Sequence, residues 1–142
     1  MAQDCCESTV NTMILACSGG SNVGQLSNQA AIELTQEGFG KFFCLAGVGA
    51  HFSGFVKSAQ DVPELVVLDG CDLGCAKWVL EQAEIPLRNY LVITDLGIDK
   101  NKNFHLLREE IDRVKTAVKD LCGQAAGASS GGGTASRSCT CS

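Results

Sequence analysis

The amino-acid sequence predicts a small three-layer α/β/α domain built on a four-stranded, mainly parallel sheet. Short apolar runs of strand length alternate with segments whose apolar residues recur every three or four positions, as in amphipathic helices. Residues 65–68 are all apolar, which is typical of a strand covered on both faces. Because right-handed crossovers place helices on both faces of a parallel sheet, this alternation favours a Rossmann-like arrangement.

The first predicted strand, Thr12–Ala16, leads into a glycine-rich turn and then a helix. Ser21 or Asn22 is expected to cap this helix, since its side-chain oxygen can accept a hydrogen bond from the first helical turn. Apolar residues at helical spacing form one face of the helix: Val23, Leu26, Ala30 and Leu34. Gly38 is predicted to close it.

The second predicted strand covers residues 41–46, which places Cys44 near its end. The glycine-containing segment 47–51 is expected to be a flexible loop. A short helix is predicted from about residue 53 to residue 60. All three elements precede the buried strand 65–68.

The strand 65–68 ends in a turn, and Asp72 is expected to cap the helix that follows. This helix carries Cys75 near its start and is predicted to run to about Glu84. It stops before Pro86, because proline disfavours helical geometry in the residue that precedes it.

The last two predicted elements are a strand at 90–94 and a long helix with the clearest amphipathic stripe in the sequence. The stripe consists of Phe104, Leu107, Ile111, Val114, Val118 and Leu121. Cys122 ends the stripe and is interpreted as a packing residue, so the folded domain is predicted to span residues 11–122. Residues 1–10 are expected to form a flexible terminus, and residues 123–142 a flexible, disordered Gly/Ser-rich tail.

Bulk composition narrows the classes of function. With 142 residues, 45% of them hydrophobic, the chain can form one core without disulfides. No apolar run is long enough to span a membrane and the first residues lack secretory-signal features, so a cytoplasmic protein with reduced thiols and no membrane partner is expected. A net charge of −5 without a basic cluster argues against a nucleic-acid partner.

Nine cysteines are more than core filling requires, and they predict metal binding or thiol chemistry. Ligands of parallel sheets bind beyond the carboxyl ends of the strands. Cys17 and Cys71 follow predicted strands, Cys44 lies near a strand end, and Cys75 lies four residues beyond Cys71. Because four thiolates complete the tetrahedral coordination of zinc, these four residues are the predicted metal ligands.

Two other uses of these cysteines remain open. A thiol enzyme that transfers sulfur, selenium or electrons would use Cys17 or Cys71 as nucleophile and Cys75 as resolving thiol. An iron–sulfur cluster would take the same four ligands. Taken singly, Cys44 can also be a small buried apolar residue, and His51 is expected to face solvent or support a ligand.

The turn from Ser18 to Gly24 is typical of a small-anion site at the start of a helix. It lacks the Gly-Lys-Ser/Thr ending of a nucleotide-binding P-loop. A cysteine phosphatase of the Cys-x5-Arg type would need arginine where Val23 stands. The later Gly47-x-Gly49 has Phe52 where a dinucleotide fingerprint requires its third glycine.

Three motifs in order resemble the DGC-domain family of proposed zinc-binding proteins. They are 17–25 (Cys-Ser-Gly-Gly-Ser-Asn-Val-Gly-Gln), 44–51 (Cys-Leu-Ala-Gly-Val-Gly-Ala-His) and 69–71 (Asp-Gly-Cys) with Cys75. The resemblance extends from about Thr12 to Ile98 and implies a four-cysteine zinc site at Cys17, Cys44, Cys71 and Cys75. It implies no particular reaction or substrate.

Four terminal cysteines lie outside these motifs: Cys5, Cys6, Cys139 and Cys141. They are expected to assist metal capture by raising the local thiol concentration. The sequence as a whole predicts a cytoplasmic zinc-binding protein, in metal handling or sensing, rather than an enzyme.

Overall fold

The computed structural model describes residues 11–128 and contains one sheet of four strands, all parallel, in the order β2-β1-β3-β4. The strands are β1 (Thr12–Ala16), β2 (Lys41–Phe42), β3 (Glu64–Asp69) and β4 (Asn89–Val92). The predicted small α/β domain is therefore confirmed. The predictions for the two cysteine pairs near the termini fall outside the described residues.

Five α-helices and one 3₁₀ helix connect or follow the strands of the described chain. They are α1 (Asn22–Gln36), α2 (Leu45–Gly49), α3 (Ser53–Asp61), α4 (Cys75–Gln82), the 3₁₀ helix (Ile93–Leu96) and α5 (Arg108–Ala128). Along residues 11–128, none of these helices has both the length and the apolar character needed to cross a membrane.

The sheet separates two apolar cores, which gives the predicted three layers. On one face, Ile14 and Val66 pack with residues of α1 and α5. On the other face, Leu15 and Val67 pack with residues of α2, α3 and α4. Because successive strand residues point to opposite faces, the central strands contribute to both cores, and the whole run 65–68 is buried as predicted.

The prediction for residues 41–51 is wrong in two respects. The edge strand β2 ends at Phe42 instead of continuing to residue 46. Cys44 then acts as the N-cap of α2, and its Sγ accepts a hydrogen bond of 3.4 Å from the amide of Gly47. The expected flexible loop is therefore largely helical. A Cβ atom at Gly47 would lie 2.4 Å from the Phe55 ring, so this glycine permits close packing of α2 on α3.

The end of the predicted fourth strand and the start of the last helix also differ from expectation. The chain leaves β4 at Val92 and forms the 3₁₀ helix, and α5 begins only at Arg108. Phe104 and Leu107 therefore lie outside the helix, and both side chains are exposed.

Asparagine side chains explain the late start of α5. The Asn101 side-chain oxygen accepts from the amide of Asn103, and the Asn103 oxygen accepts from the amide of His105. Such local bonds compete with helical ones. His105 thus precedes the helix instead of lying in its first turn. At the other end, α5 continues beyond Cys122 to Ala128, where the composition had predicted a tail.

Candidate thiol site at the strand ends

A cavity of about 230 Å³ lies beyond the carboxyl ends of β1 and β3 and is lined by three cysteines, Cys17, Cys71 and Cys75. Cys17 directly follows β1, Cys71 lies two residues after β3, and Cys75 is the first residue of α4. The structure therefore brings three of the four predicted ligands, from two segments of the chain, to one cavity. We call this the thiol cavity.

Cys17 is partly buried and is hydrogen-bonded to the end of β3. Its amide donates to the carbonyl of Leu68 at 2.9 Å, which extends the β1–β3 ladder by one residue. Burial raises the pKa of the Cys17 thiol, while hydrogen bonds from the backbone of Gly19 and Gly70 oppose that rise. Nearby Asp69 and Cys75 raise the pKa further. Without a bound cation, Cys17 is thus held as the neutral thiol near neutral pH.

Two lysines line the thiol cavity from the segment between the 3₁₀ helix and α5. The Lys100 ammonium lies 3.3 Å from the Sγ atom of Cys71. The Lys102 ammonium donates to the carbonyl of Gly20 at 2.5 Å. The cavity therefore has a cationic side chain at the turn after β3, near Cys71, and another at the turn after β1, near Gly20.

Asp69 of the Asp-Gly-Cys motif fixes the start of α4. This carboxylate is 1% exposed. Its Oδ1 accepts from the amide of Ala76 at 2.8 Å, and its Oδ2 accepts from the amide of Lys77 at 3.0 Å and from the Tyr90 hydroxyl at 2.9 Å. Burial and the bond to Asp69 raise the pKa of Tyr90. Asp69 thereby positions the first turn of α4, which contains Cys75.

The predicted capping role of Asp72 is wrong. The N-cap position of α4 is Gly74, whose φ of +67° lies in the left-handed region that glycine tolerates best. The capping bonds come instead from Asp69, because the turn folds back and brings the end of β3 against the first turn of α4. Of the two residues predicted to cap α1, Ser21 does so, and its side-chain oxygen accepts a hydrogen bond from the amide of Gly24.

Two glycines allow the turns around the thiol cavity to approach each other closely. A Cβ atom at Gly70 would lie 2.7 Å from the amide nitrogen of Gly24, and one at Gly24 would lie 2.6 Å from the carbonyl oxygen of Gly19. Real Cβ atoms do not approach backbone this closely. The glycine of the Asp-Gly-Cys motif is thus required by contact with the start of α1.

Cys44 lies elsewhere, in a neighbouring groove of about 360 Å³ that is lined mainly by apolar side chains. Its lining includes Phe42, Phe43, Leu45 and Val79. Cys44 is exposed, and it does not line the thiol cavity. His51 is exposed with φ +56° and lines neither space. Cys122 packs against the apolar core formed by the sheet, α1 and α5, in keeping with its predicted role.

The residue types at the thiol cavity fit a zinc ion, since zinc binds thiolates readily. The observed arrangement does not form a coordination sphere. Among residues 11–128, no three His, Cys, Asp or Glu side chains are placed so that they could hold one metal ion. Metal binding at Cys17, Cys71 and Cys75 would therefore require these side chains to move toward one another.

The sequence alone did not single out Lys100, Lys102 or Tyr90, although all three shape this region. The only available signal was position. Tyr90 lies on β4, and the two lysines follow the exit from β4, at the edge of the sheet where the cysteines were expected. Asn22 was considered only as a possible helix cap.

A family model for the DGC domain matches residues 13–118, which is most of the chain and includes the whole sheet apart from Thr12. The chain belongs to the DGC-domain family. The DGC domain here is also similar to a protein of Pseudomonas aeruginosa strain PAO1 named "Anaerobic and virulence modulator AnvM". The two are 35% identical over 109 residues, covering 77% of this chain and 83% of AnvM. No solved structure matches the chain.

Proposed function

We propose that this DGC domain binds zinc through cysteine thiolates at the strand-end edge, and that it acts in metal handling or sensing. The observation that carries the proposal is the grouping of Cys17, Cys71 and Cys75 around one cavity. Three thiolates and one further ligand complete a zinc site. Cys44, in the neighbouring groove, is the predicted fourth ligand and would have to leave its capping bond with Gly47 to reach the ion.

The chemistry of Cys17 gives the proposed site a defined response to pH. Because the pKa of Cys17 is raised in the metal-free protein, zinc must displace a proton from this sulfur when it binds. Protons therefore compete with zinc, and apparent affinity falls as pH falls. A released proton corresponds to about a tenfold loss of affinity per pH unit below the pKa of the thiol. The name of AnvM describes a modulator, and a metal site with this response would suit a sensing role.

Replacing Cys71 with serine is expected to lower bound zinc to well below one equivalent, because a neutral hydroxyl replaces a thiolate ligand. Zinc content is measured by elemental analysis of freshly purified protein, together with a count of free thiols. Cys122→Ser is the matched control, since Cys122 packs against the apolar core and does not line the thiol cavity. An unchanged zinc content in Cys71→Ser would refute the assignment. Cys44→Ser then tests the fourth ligand and is expected to weaken zinc binding while leaving it measurable.

A second candidate function, thiol-based catalysis, is favoured by the contact between Lys100 and Cys71. A cationic neighbour is typical of nucleophilic cysteines. Among the two nucleophiles that the sequence suggested, the structure favours Cys71. Cys17 is held as a thiol by burial.

Under this alternative, Lys100→Gln is expected to slow alkylation of Cys71 several-fold in metal-free protein. The physical reason is loss of the positive charge beside the attacking sulfur. Iodoacetamide labelling at mildly acidic pH, followed by mass spectrometry, measures the rate at each cysteine. Lys41→Gln removes the same charge from the exposed start of β2 and serves as control. Equal Cys71 rates in the two variants would count against the catalytic role.

A further inference from the structure

The segment that carries Lys100 and Lys102 is held over the thiol cavity by one buried side chain. Asn22 is 5% exposed. Its Nδ2 donates to the carbonyl of Asp99 at 2.8 Å, and its Oδ1 accepts from the amide of Asn101 at 2.6 Å. The Asn22 amide also donates to the carbonyl of Asn101 at 3.0 Å. Three hydrogen bonds thus fix the backbone on both sides of Lys100 against the start of α1.

Among residues 11–128, pairing with a carboxylate does not explain this placement of the two lysines. Within residues 11–128, neither forms a salt bridge, whereas other lysines such as Lys115 do. Asp69 also lines the cavity, but its two oxygens already accept three hydrogen bonds from Ala76, Lys77 and Tyr90. The lining of the thiol cavity therefore carries two ammonium groups and one carboxylate. This local excess of positive charge contrasts with the net charge of −5 of the whole chain.

Some backbone amides of the glycine turn are already bonded within the protein. The amide of Gly24 is already bonded to the Ser21 side chain, and the amide of Asn22 is bonded to Asn101. Full positive charge at this cavity comes from two lysine side chains, Lys100 and Lys102, which lie about eighty residues later in the sequence. The bonds between Lys102 and the Gly20 carbonyl, and between Lys100 and Cys71, are ones that an incoming anion can replace with stronger charged hydrogen bonds.

We propose that the thiol cavity binds a small oxyanion, held by the ammonium groups of Lys100 and Lys102 beside the cysteine sulfurs. The cavity of about 230 Å³ is smaller than the pockets of drug-sized ligands. Its size suits an anion such as phosphate, sulfate or thiosulfate. This inference deepens the proposed function because it assigns a ligand class to the same cavity, and it rests on that cavity without requiring the zinc ion.

The test is titration calorimetry of inorganic phosphate, and separately of thiosulfate, into the reduced, metal-free full-length protein at low ionic strength. Saturable binding with a sub-millimolar dissociation constant is expected. The double variant Lys100→Gln/Lys102→Gln is expected to weaken it at least about tenfold, because two charged hydrogen bonds are lost. The control variant Lys41→Gln/Lys57→Gln removes the same charge from exposed positions and is expected to bind as the wild type does.

Absence of saturable binding for both anions, or equal affinities in the two double variants, would overturn the inference. Tighter binding of thiosulfate than of phosphate identifies a sulfur oxyanion as the ligand, and the reverse order identifies phosphate. Asn22→Ala keeps both lysines but removes the side-chain hydrogen bonds that hold their segment. This variant is therefore also expected to bind the anion more weakly.

Zinc content separates this inference from the proposed function. The Cys71→Ser variant is expected to lose zinc binding and to retain anion binding, since both lysines remain. Protein that loads zinc but ignores both anions contradicts only the oxyanion site. Protein that binds an anion but never loads zinc contradicts only the zinc proposal.

Discussion

Replacing Asp69 with asparagine is expected to lower the free energy of unfolding by about 3 kcal/mol, because the buried carboxylate accepts three hydrogen bonds. The asparagine oxygen can take over only one carboxylate position. Its NH₂ group then occupies the other oxygen position, where it faces either the amide of Ala76 or the amide of Lys77 together with the Tyr90 hydroxyl. A buried donor is then left without an acceptor, and α4 loses its N-terminal cap.

Chemical denaturation monitored by circular dichroism measures this effect. Asp72→Asn is the matched control, since it makes the same change in charge three residues later at an exposed position. It is expected to stay within about 0.5 kcal/mol of the wild type. Tyr90→Phe removes one of the three bonds and is expected to cost about 1 kcal/mol. If Asp69→Asn is as stable as Asp72→Asn, the carboxylate does not hold the start of α4.

Replacing Gly70 with alanine is expected to destabilise the fold by about 2–3 kcal/mol and to disturb the thiol cavity as well. The new methyl group would lie 2.7 Å from the amide nitrogen of Gly24 and 2.8 Å from the carbonyl carbon of Val23. Both atoms belong to helix backbone, which cannot move aside as a flexible side chain can. The turn after β3 must therefore shift away from α1, and Cys71 must shift with it.

The same denaturation measurement and the zinc content of the purified variant report the two consequences of Gly70→Ala. Gly54→Ala is the control, because nothing lies within 4 Å of a Cβ atom at this position in α3. It is expected to be neutral or slightly stabilising, within about 0.5 kcal/mol, since alanine favours helix more than glycine does. Wild-type stability in Gly70→Ala would mean that the two turns are not in close contact.

These two residues show how far local sequence patterns can be taken. The Asp-Gly pair after an apolar run correctly indicated the end of a buried strand. It could not indicate that the aspartate reaches forward seven and eight residues to cap α4, or that the glycine touches α1. Both contacts depend on how the turn folds back in three dimensions, and sequence spacing carries no such information.

The sequence by itself determined the parallel α/β architecture and the buried strand 65–68, and it narrowed the cap of α1 to Ser21 or Asn22. It also placed Cys17, Cys71 and Cys75 at one edge of the sheet. These features follow from periodicity, from local turn chemistry and from the rule that parallel strands end at the same edge, all of which are properties of short segments.

Tertiary structure alone decided the surroundings of that edge. The edge strand β2 ends at Phe42, so the chain turns into α2 and carries Cys44 to the neighbouring groove. Asn22 binds the backbone around residue 100, and two lysines thereby reach the thiol cavity, where Lys100 contacts Cys71. Contacts between residues nearly eighty positions apart form only when the helices pack on the sheet, because the free energy that fixes them comes from that packing and not from local propensity.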